Sequence, residues 1–291
     1  MTEEKIPDYL YHYTKIDTLQ HMFKNGGKVE IRLTDYRFLN DAEEGQFLGK
    51  FFKKNRKSYH DKLKGKDLKD FFNVCADIMS VGADGIQKDG HNVYIMSFTE
   101  LADSMQFWRQ DYAKDKGLCL RLKTSKFKVP NEYENSTLDA NKKKLFFKVQ
   151  YIGINDNIED AFPNLEQSLQ DTLKIYSKKI YPINVNGVFY ISEVNLPSNF
   201  NVKNKVWKSE AEWRFKILQF QDESTMTGIK ARYEIDNFGI PRATITIDNP
   251  FDEIILGPSF STPYKTSIEK WLCKRGFKDI NVRCGDGVLN N

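Results

Sequence analysis

The sequence has few of the residues from which metal sites and membrane spans are built. Among 291 residues there are four cysteines and four histidines, and neither type shows the paired spacing that zinc ligands need. No apolar run approaches the roughly 20 residues of a membrane-spanning helix, and the first residues do not resemble a secretory signal. The sequence therefore predicts a soluble, cytoplasmic protein with reduced cysteines, no metal and no membrane partner.

The sequence also lacks the short motifs of four large enzyme classes. It has no glycine-rich phosphate loop ending in Gly-Lys-Ser/Thr, no Gly-x-Gly-x-x-Gly, no His-Glu-x-x-His and no Gly-x-Ser-x-Gly. These absences argue against P-loop nucleoside triphosphatases, Rossmann dehydrogenases, zinc metalloproteases and α/β-hydrolases.

Residue patterning favours an α+β fold, because helical patterns cluster early in the chain and strand patterns cluster late. Thr14 is expected to cap the first helix. Helical excursions are expected at about 44–80 and about 156–182, and an exposed polar excursion at 123–144. Strands are expected in the second half of the chain at 145–152, 188–192 and 207–220.

A basic segment, Lys50–Lys69, carries nine lysines and arginines against two aspartates. Its charge of +7 leaves the rest of the chain at −3, since the whole chain carries +4. Two interpretations stay open: a solvated helix face, or a patch that attracts phosphates or an acidic partner. We expect two surface helices whose lysines point away from any active cleft, because an apolar stripe is formed by Phe47, Leu48, Phe51 and Phe52.

Three short segments combine strand patterning with reactive side chains: Tyr11–Thr14, Ser97–Glu100 and Trp207–Arg214. Alternate residues of a strand share one face, so Glu210, Glu212 and Arg214 are expected to line a wet face or cleft. The competing interpretation is a surface ladder of ion pairs, which contributes little to stability.

The order of these segments resembles the bacterial family known as domain of unknown function 2971. Its members have His-Tyr-Thr before a helix, Asn-Asp before acidic residues, a Ser-Phe-Ser-like strand, an aromatic helix and Trp-x-x-Glu-x-Glu-x-Arg. This chain supplies the same series in the same order as His12-Tyr13-Thr14, Asn40-Asp41 with Glu43 and Glu44, Ser97-Phe98-Thr99-Glu100, Trp108 and Tyr112 before Gly117, Trp207 to Arg214, and Ile254 to Gly257.

That family in turn resembles the ADP-ribosyltransferase superfamily. The resemblance implies one domain over 1–291, built on a split mixed/antiparallel β-sheet core with flanking helices, and NAD as co-substrate without a metal. It implies Glu212 as the catalytic glutamate and Glu210 as the carboxylate that faces the acceptor. The implied NAD-binding residues are His12, Tyr13, Thr14, Ser97, Phe98 and Thr99, with Phe98 or a nearby aromatic ring flanking nicotinamide.

The implied activity is mono-ADP-ribosylation of a macromolecule, either nucleic acid or protein, as in toxins and anti-phage defence effectors, whose partners include antitoxins or immunity proteins. A histidine at the first position is typical of the diphtheria-toxin-like branch, whereas Glu-x-Glu is typical of the arginine-specific branch, so the acceptor stays open. Two alternatives also remain: an NAD glycohydrolase with the same site, and a non-catalytic module that binds nucleic acid or protein.

Overall fold

The computed structural model describes residues 5–39, 46–80, 92–109, 116–130, 137–139, 145–178, 200–219 and 228–286. Within these ranges the protein is α+β, as the sequence predicts. The helices are α1 Asp17–Met22, α2 Phe47–Lys62, α3 Lys66–Ser80, α4 Met105–Trp108, α5 Ile158–Ala161, α6 Leu165–Lys178 and α7 Thr262–Lys274. None of the helices in the described ranges combines the length and the apolar character needed to cross a bilayer.

The strands of the described ranges are β1 Tyr9–Lys15, β2 Lys28–Asp35, β3 Asn92–Thr99, β4 Gly117–Lys123, β5 Lys128–Pro130, β6 Thr137–Asp139, β7 Phe146–Lys148, β8 Gln150–Ile152, β9 Val202–Asn204, β10 Glu212–Gln219, β11 Arg232–Ile235, β12 Pro241–Asp248, β13 Phe251–Leu256 and β14 Asn281–Cys284. Most of them belong to one large, mainly antiparallel sheet in the order β11-β12-β2-β3-β1-β4-β13-β14, in which β10 also pairs with β3, and β7 pairs with β10. Two small sheets pair β5 with β6 and β8 with β9.

Strand β3 is the point at which the large sheet divides. One edge of β3 pairs with β10 along its whole length. The other edge is shared, because β2 pairs with Tyr94 and Ile95 while β1 pairs with Thr99. Residues 96–98 therefore lie between two wings of the sheet, β2-β12-β11 on one side and β1-β4-β13-β14 on the other.

Two main apolar clusters hold these elements together. The first lies on one face of the sheet and takes alternate strand residues such as Ile31, Leu120 and Phe215. The second joins α2, α3, α5 and α6, and it reaches the sheet region through Ile152 of β8 and Val202 of β9. The described helices of the two expected excursions thus share one core.

Four local expectations differ from the structure. Thr14 stays in β1, and its hydroxyl donates to Thr18 Oγ1 at 2.9 Å instead of capping α1. The stretch 123–144 contains β5 and β6, anchored by buried Phe127 and Val129. The expected strand 145–152 is two short strands in different sheets, separated by Val149, whose amide donates to Glu212 O.

The fourth correction concerns 207–220, where the first residues are not a strand. Lys205–Glu210 form a 3-10 helix, and the strand begins only at Glu212. The expected strand 188–192 lies outside the described residues, as do motif residues Asn40, Asp41, Glu43, Glu44 and Tyr112.

Candidate active site

A cleft of about 1180 Å³ lies where the two wings of the sheet separate. The structure brings all eight predicted site residues to its lining, although they come from segments about 85 and 115 residues apart. They are His12, Tyr13, Thr14, Ser97, Phe98, Thr99, Glu210 and Glu212. The structure thus brings these residues together, whereas the roles assigned to them remain predictions.

His12 bridges the gap between β1 and β3. Its Nδ1 lies 2.9 Å from the carbonyl oxygen of Ser97, and its ring lies 5.7 Å from the Phe98 ring. Burial lowers the pKa of His12, and the hydrogen bond to Ser97 opposes that shift only in part. A neutral imidazole that donates from Nδ1 to the carbonyl keeps Nε2 as an acceptor for a ligand hydroxyl.

Tyr13 and Thr14 have their hydroxyls occupied within the protein. The Tyr13 hydroxyl donates to Leu101 O at 3.1 Å and accepts from the Ser104 amide at 2.8 Å. Its ring stacks on Phe107 at 4.7 Å. Thr14 is engaged with Thr18, as described above. These two residues therefore shape the wall of the cleft rather than present free polar groups to it.

The three predicted residues of β3 have different surroundings. Ser97 lies near the Glu212 carboxylate and lowers its pKa. The Thr99 hydroxyl donates to Glu210 O at 2.6 Å and accepts from the Leu101 amide at 3.1 Å. Phe98 is buried, and its ring packs against the rings of His12 at 5.7 Å and Phe146 at 5.6 Å.

The two glutamates do not share one strand face, contrary to the sequence-based expectation. Ala211 adopts a left-handed conformation with φ of 44°, so the chain turns between Glu210 and Glu212. Glu210 ends the 3-10 helix and Glu212 opens β10. The face that carries Glu212 and Arg214 is buried rather than wet, and Arg214 is only 1 % exposed.

The two carboxylates are nevertheless joined by a cation from another element. Lys203 of β9 is buried, and its Nζ lies 2.8 Å from Glu210 Oε2 and 3.1 Å from Glu212 Oε2. Burial alone lowers the pKa of Lys203, but the two carboxylates raise it more, so the amine stays charged. Sequence analysis missed Lys203, which lies in a three-residue strand without a periodic pattern.

Arg214 forms the second contact to Glu212. Its Nε donates to Oε1 at 2.8 Å and its Nη2 donates to Oε2 at 3.1 Å, while Nη1 donates to Phe200 O at 2.7 Å. The Glu212 amide also donates to the Tyr151 hydroxyl at 2.9 Å. Burial raises the pKa of Glu212, whereas Lys203 and the Ser97 hydroxyl oppose that rise. Two contacting cations stabilise the ionised carboxylate.

Other residues also line the cleft. Trp207, the first residue of the third sequence segment, is 41 % exposed there, with Lys203 Nζ 5.9 Å from the centre of its ring. Arg32, Arg109 and Arg242 add positive charge to the lining. In the part of the chain that the structure describes, no three His, Cys, Asp or Glu side chains gather so that they could hold a metal ion.

Part of the chain is similar to a known protein family. Residues 107–215 match the model of a family described as Protein of unknown function (DUF2971). The match spans less than half of the chain, from α4 to the centre of β10, and supports the family that the motifs indicate. No curated protein and no solved structure matches the chain.

Proposed function

We propose that this protein is an NAD-dependent mono-ADP-ribosyltransferase. The observation that carries the proposal is the arrangement of three adjacent strands around one cleft. Strand β10 begins with Glu212, β3 contributes Ser97, and β1 contributes His12, at the place where the sheet divides. A split sheet with these residue types on neighbouring strands is the arrangement that the family resemblance implies.

The cleft is suitable for a dinucleotide in size and charge. Its volume of about 1180 Å³ exceeds the roughly 300–1,000 Å³ usual for pockets that hold smaller ligands. Arg109 is exposed at the cleft and makes no ion pair with any described residue, so it can receive a phosphate oxygen of the pyrophosphate. His12 Nε2 can accept a hydrogen bond from a ribose hydroxyl.

Glu212 supplies the electrostatic part of the mechanism. Breaking the bond between ribose C1′ and the nicotinamide nitrogen leaves positive charge on the ribose, as in glycoside cleavage. A carboxylate has about four lone-pair positions. Arg214 and Lys203 use three of those of Glu212, which leaves about one for a ligand hydroxyl. The ribose 2′-hydroxyl takes this remaining position, so that the carboxylate stabilises the developing charge.

Glu210 is placed to act as the general base. It is the less buried of the two carboxylates, and Thr99 fixes its backbone against β3. The incoming acceptor atom loses a proton as it bonds to C1′, and Glu210 takes that proton. If water occupies the acceptor position, the same site hydrolyses NAD.

The experiment is to incubate the protein with adenylate-labelled NAD and a cell extract. Label on a macromolecule supports transfer, free ADP-ribose alone supports hydrolysis, and unconsumed NAD contradicts both. Glu212→Gln should lower NAD cleavage by about 10²–10³-fold, because it removes one well-placed charge. NAD affinity should change far less, since this contact strengthens only in the transition state.

Two further variants sharpen this test. Glu210→Gln should reduce transfer more than hydrolysis, because its partner is the acceptor. Glu269→Gln on α7 is the matched control, since Glu269 lies outside the cleft in an exposed pair with Lys265. If Glu212→Gln cleaves NAD at the wild-type rate, Glu212 is not the catalytic carboxylate and the proposal fails.

A further inference from the structure

The acceptor end of the cleft carries no uncompensated negative charge. Glu210, the carboxylate placed toward the acceptor, is already paired with Lys203 at 2.8 Å, and Glu212 is paired with both Lys203 and Arg214. A cationic acceptor such as an arginine side chain needs a free carboxylate to receive it. Here it meets a buried ammonium group instead, and like charges repel. The ion pairing therefore disfavours a cationic acceptor.

The segment that borders Glu210 has the composition of a surface that binds unpaired bases. Val206, Trp207, Lys208 and Ser209 are all exposed in the 3-10 helix, and Trp207 lines the cleft. Lys208 makes no ion pair with any described residue. An exposed indole stacks on the face of any base, and adjacent cations neutralise phosphates, which is the pattern of single-strand binding.

A second basic surface is connected to the same site. On α2, at the start of α3 and in the turn between them, four lysines are exposed and pair with no described carboxylate: Lys53, Lys57, Lys64 and Lys66. No large apolar side chain is exposed on these helices within the described residues, so the surface lacks the aromatic anchors of a protein interface. Phosphate contacts need only charge.

Strand β9 provides the connection between this basic surface and the cleft. Val202 packs into the apolar cluster of α2 and α3, whereas the next residue, Lys203, contacts the two carboxylates of the cleft. Neighbouring strand residues point to opposite sides. Helix α2 is thus packed directly on the strand that holds Lys203 in place.

We propose that the acceptor is an unpaired base of a nucleic acid, stacked on Trp207, and that Lys203 is the residue that excludes cationic acceptors. The inference rests on the proposed transferase function. In the reaction, the C1′–nitrogen bond of NAD breaks and its electron pair leaves with neutral nicotinamide. A base nitrogen bonds to C1′, and the proton that it loses passes to Glu210.

The first experiment measures binding without NAD. The probe is a fluorescein-labelled, mixed-sequence single-stranded oligonucleotide, and its anisotropy reports affinity. Trp207→Ala should weaken binding about 5- to 150-fold, whereas Phe238→Ala should not, since Phe238 is an exposed aromatic residue outside the cleft.

The double variant Lys53→Gln, Lys57→Gln should reduce the slope of log affinity against log salt concentration by about 1.4. The matched control is Lys270→Gln with Lys274→Gln on α7.

The second experiment measures transfer of labelled ADP-ribose. Acceptors are single-stranded DNA, single-stranded RNA, duplex DNA, and the guanidinium compound agmatine. Wild type should label a single strand in preference to duplex and should not label agmatine. Lys203→Met should lose labelling of the oligonucleotide and gain labelling of agmatine, whereas Lys203→Arg, which keeps the cation, should retain the wild-type preference.

The outcomes separate this inference from the proposed function. Cleavage of NAD with label on protein or agmatine, and none on oligonucleotides, overturns the inference and leaves the transferase. Binding of oligonucleotide through Trp207 without any cleavage of NAD removes the transferase and keeps nucleic acid as the partner. Absence of both NAD cleavage and oligonucleotide binding removes both.

Discussion

Replacing Arg214 with methionine tests whether the Glu212 carboxylate is held by its buried partner. The guanidinium donates twice to Glu212 and once to Phe200 O, and it is 1 % exposed. Methionine fills much of the volume but leaves a buried carboxylate with Lys203 as its only charged contact among those described above. Removing one member of a buried pair costs about 3–5 kcal/mol. Against a total stability of roughly 5–15 kcal/mol, that loss is large.

Urea unfolding followed by circular dichroism measures this cost. Glu212→Gln combined with Arg214→Met removes both charges, so the double variant should be more stable than the sum of the single effects by about 0.5–3 kcal/mol. The control is Arg232→Met, whose exposed ion pairs with Glu30 and Glu234 contribute about 0–1 kcal/mol. Strictly additive effects of Arg214→Met and Glu212→Gln would refute the buried coupling.

Three further predictions concern groups outside that pair. Burial lowers the pKa of His12 from 6.5, so the folded state binds this proton less readily than the unfolded state. The free energy of unfolding therefore falls as the pH drops below 6.5. His12→Gln should reduce the difference in unfolding free energy between pH 7.5 and pH 5.5. Burial lowers the pKa of Lys216 from 10.5 to about 8, and its Nζ has no hydrogen-bond partner within the described residues. Lys216→Met should therefore stabilise the protein by about 1–3 kcal/mol at pH 7 in urea unfolding, and the gain should shrink as pH rises from 8 toward 10. Ala211→Gly should raise the unfolding free energy by up to about 1 kcal/mol, since a left-handed conformation strains alanine. A loss of stability would show that the Ala211 backbone is not strained.

Most of the residues that sequence analysis brought to the cleft lie on strands that the sequence predicts. His12 lies among the tyrosines of β1, and Ser97 lies in β3, whose apolar run ends in hydroxyl residues. Their order along the chain, read with the family motifs, was enough to predict that they meet Glu212. The division of β3 between two wings depends on pairings far apart in sequence, and no local pattern encodes it.

The errors near the glutamates have a physical origin. Alternation across Glu210, Ala211 and Glu212 predicts a strand, but one left-handed residue at Ala211 turns the chain and ends the alternation. Lys203 was missed because a lysine between Val202 and Asn204 is indistinguishable from a surface lysine by pattern. Its burial is fixed by the α2–β9 packing on one side and by two carboxylates on the other.

The strand order also constrains how the chain folds. Strand β2 pairs with β12 through contacts such as Ile31 with Ile245, more than 200 residues apart, and β4 pairs with β13 through contacts such as Leu120 with Ile254, more than 130 residues apart. Closing loops of this length costs entropy before any pairing energy is gained, so such sheets form slowly. During synthesis, the wing built on β2 stays open until residues 241–248 have left the ribosome. Until then, the edge of β2 that later pairs with β12 is unpaired, and an unpaired strand edge promotes aggregation.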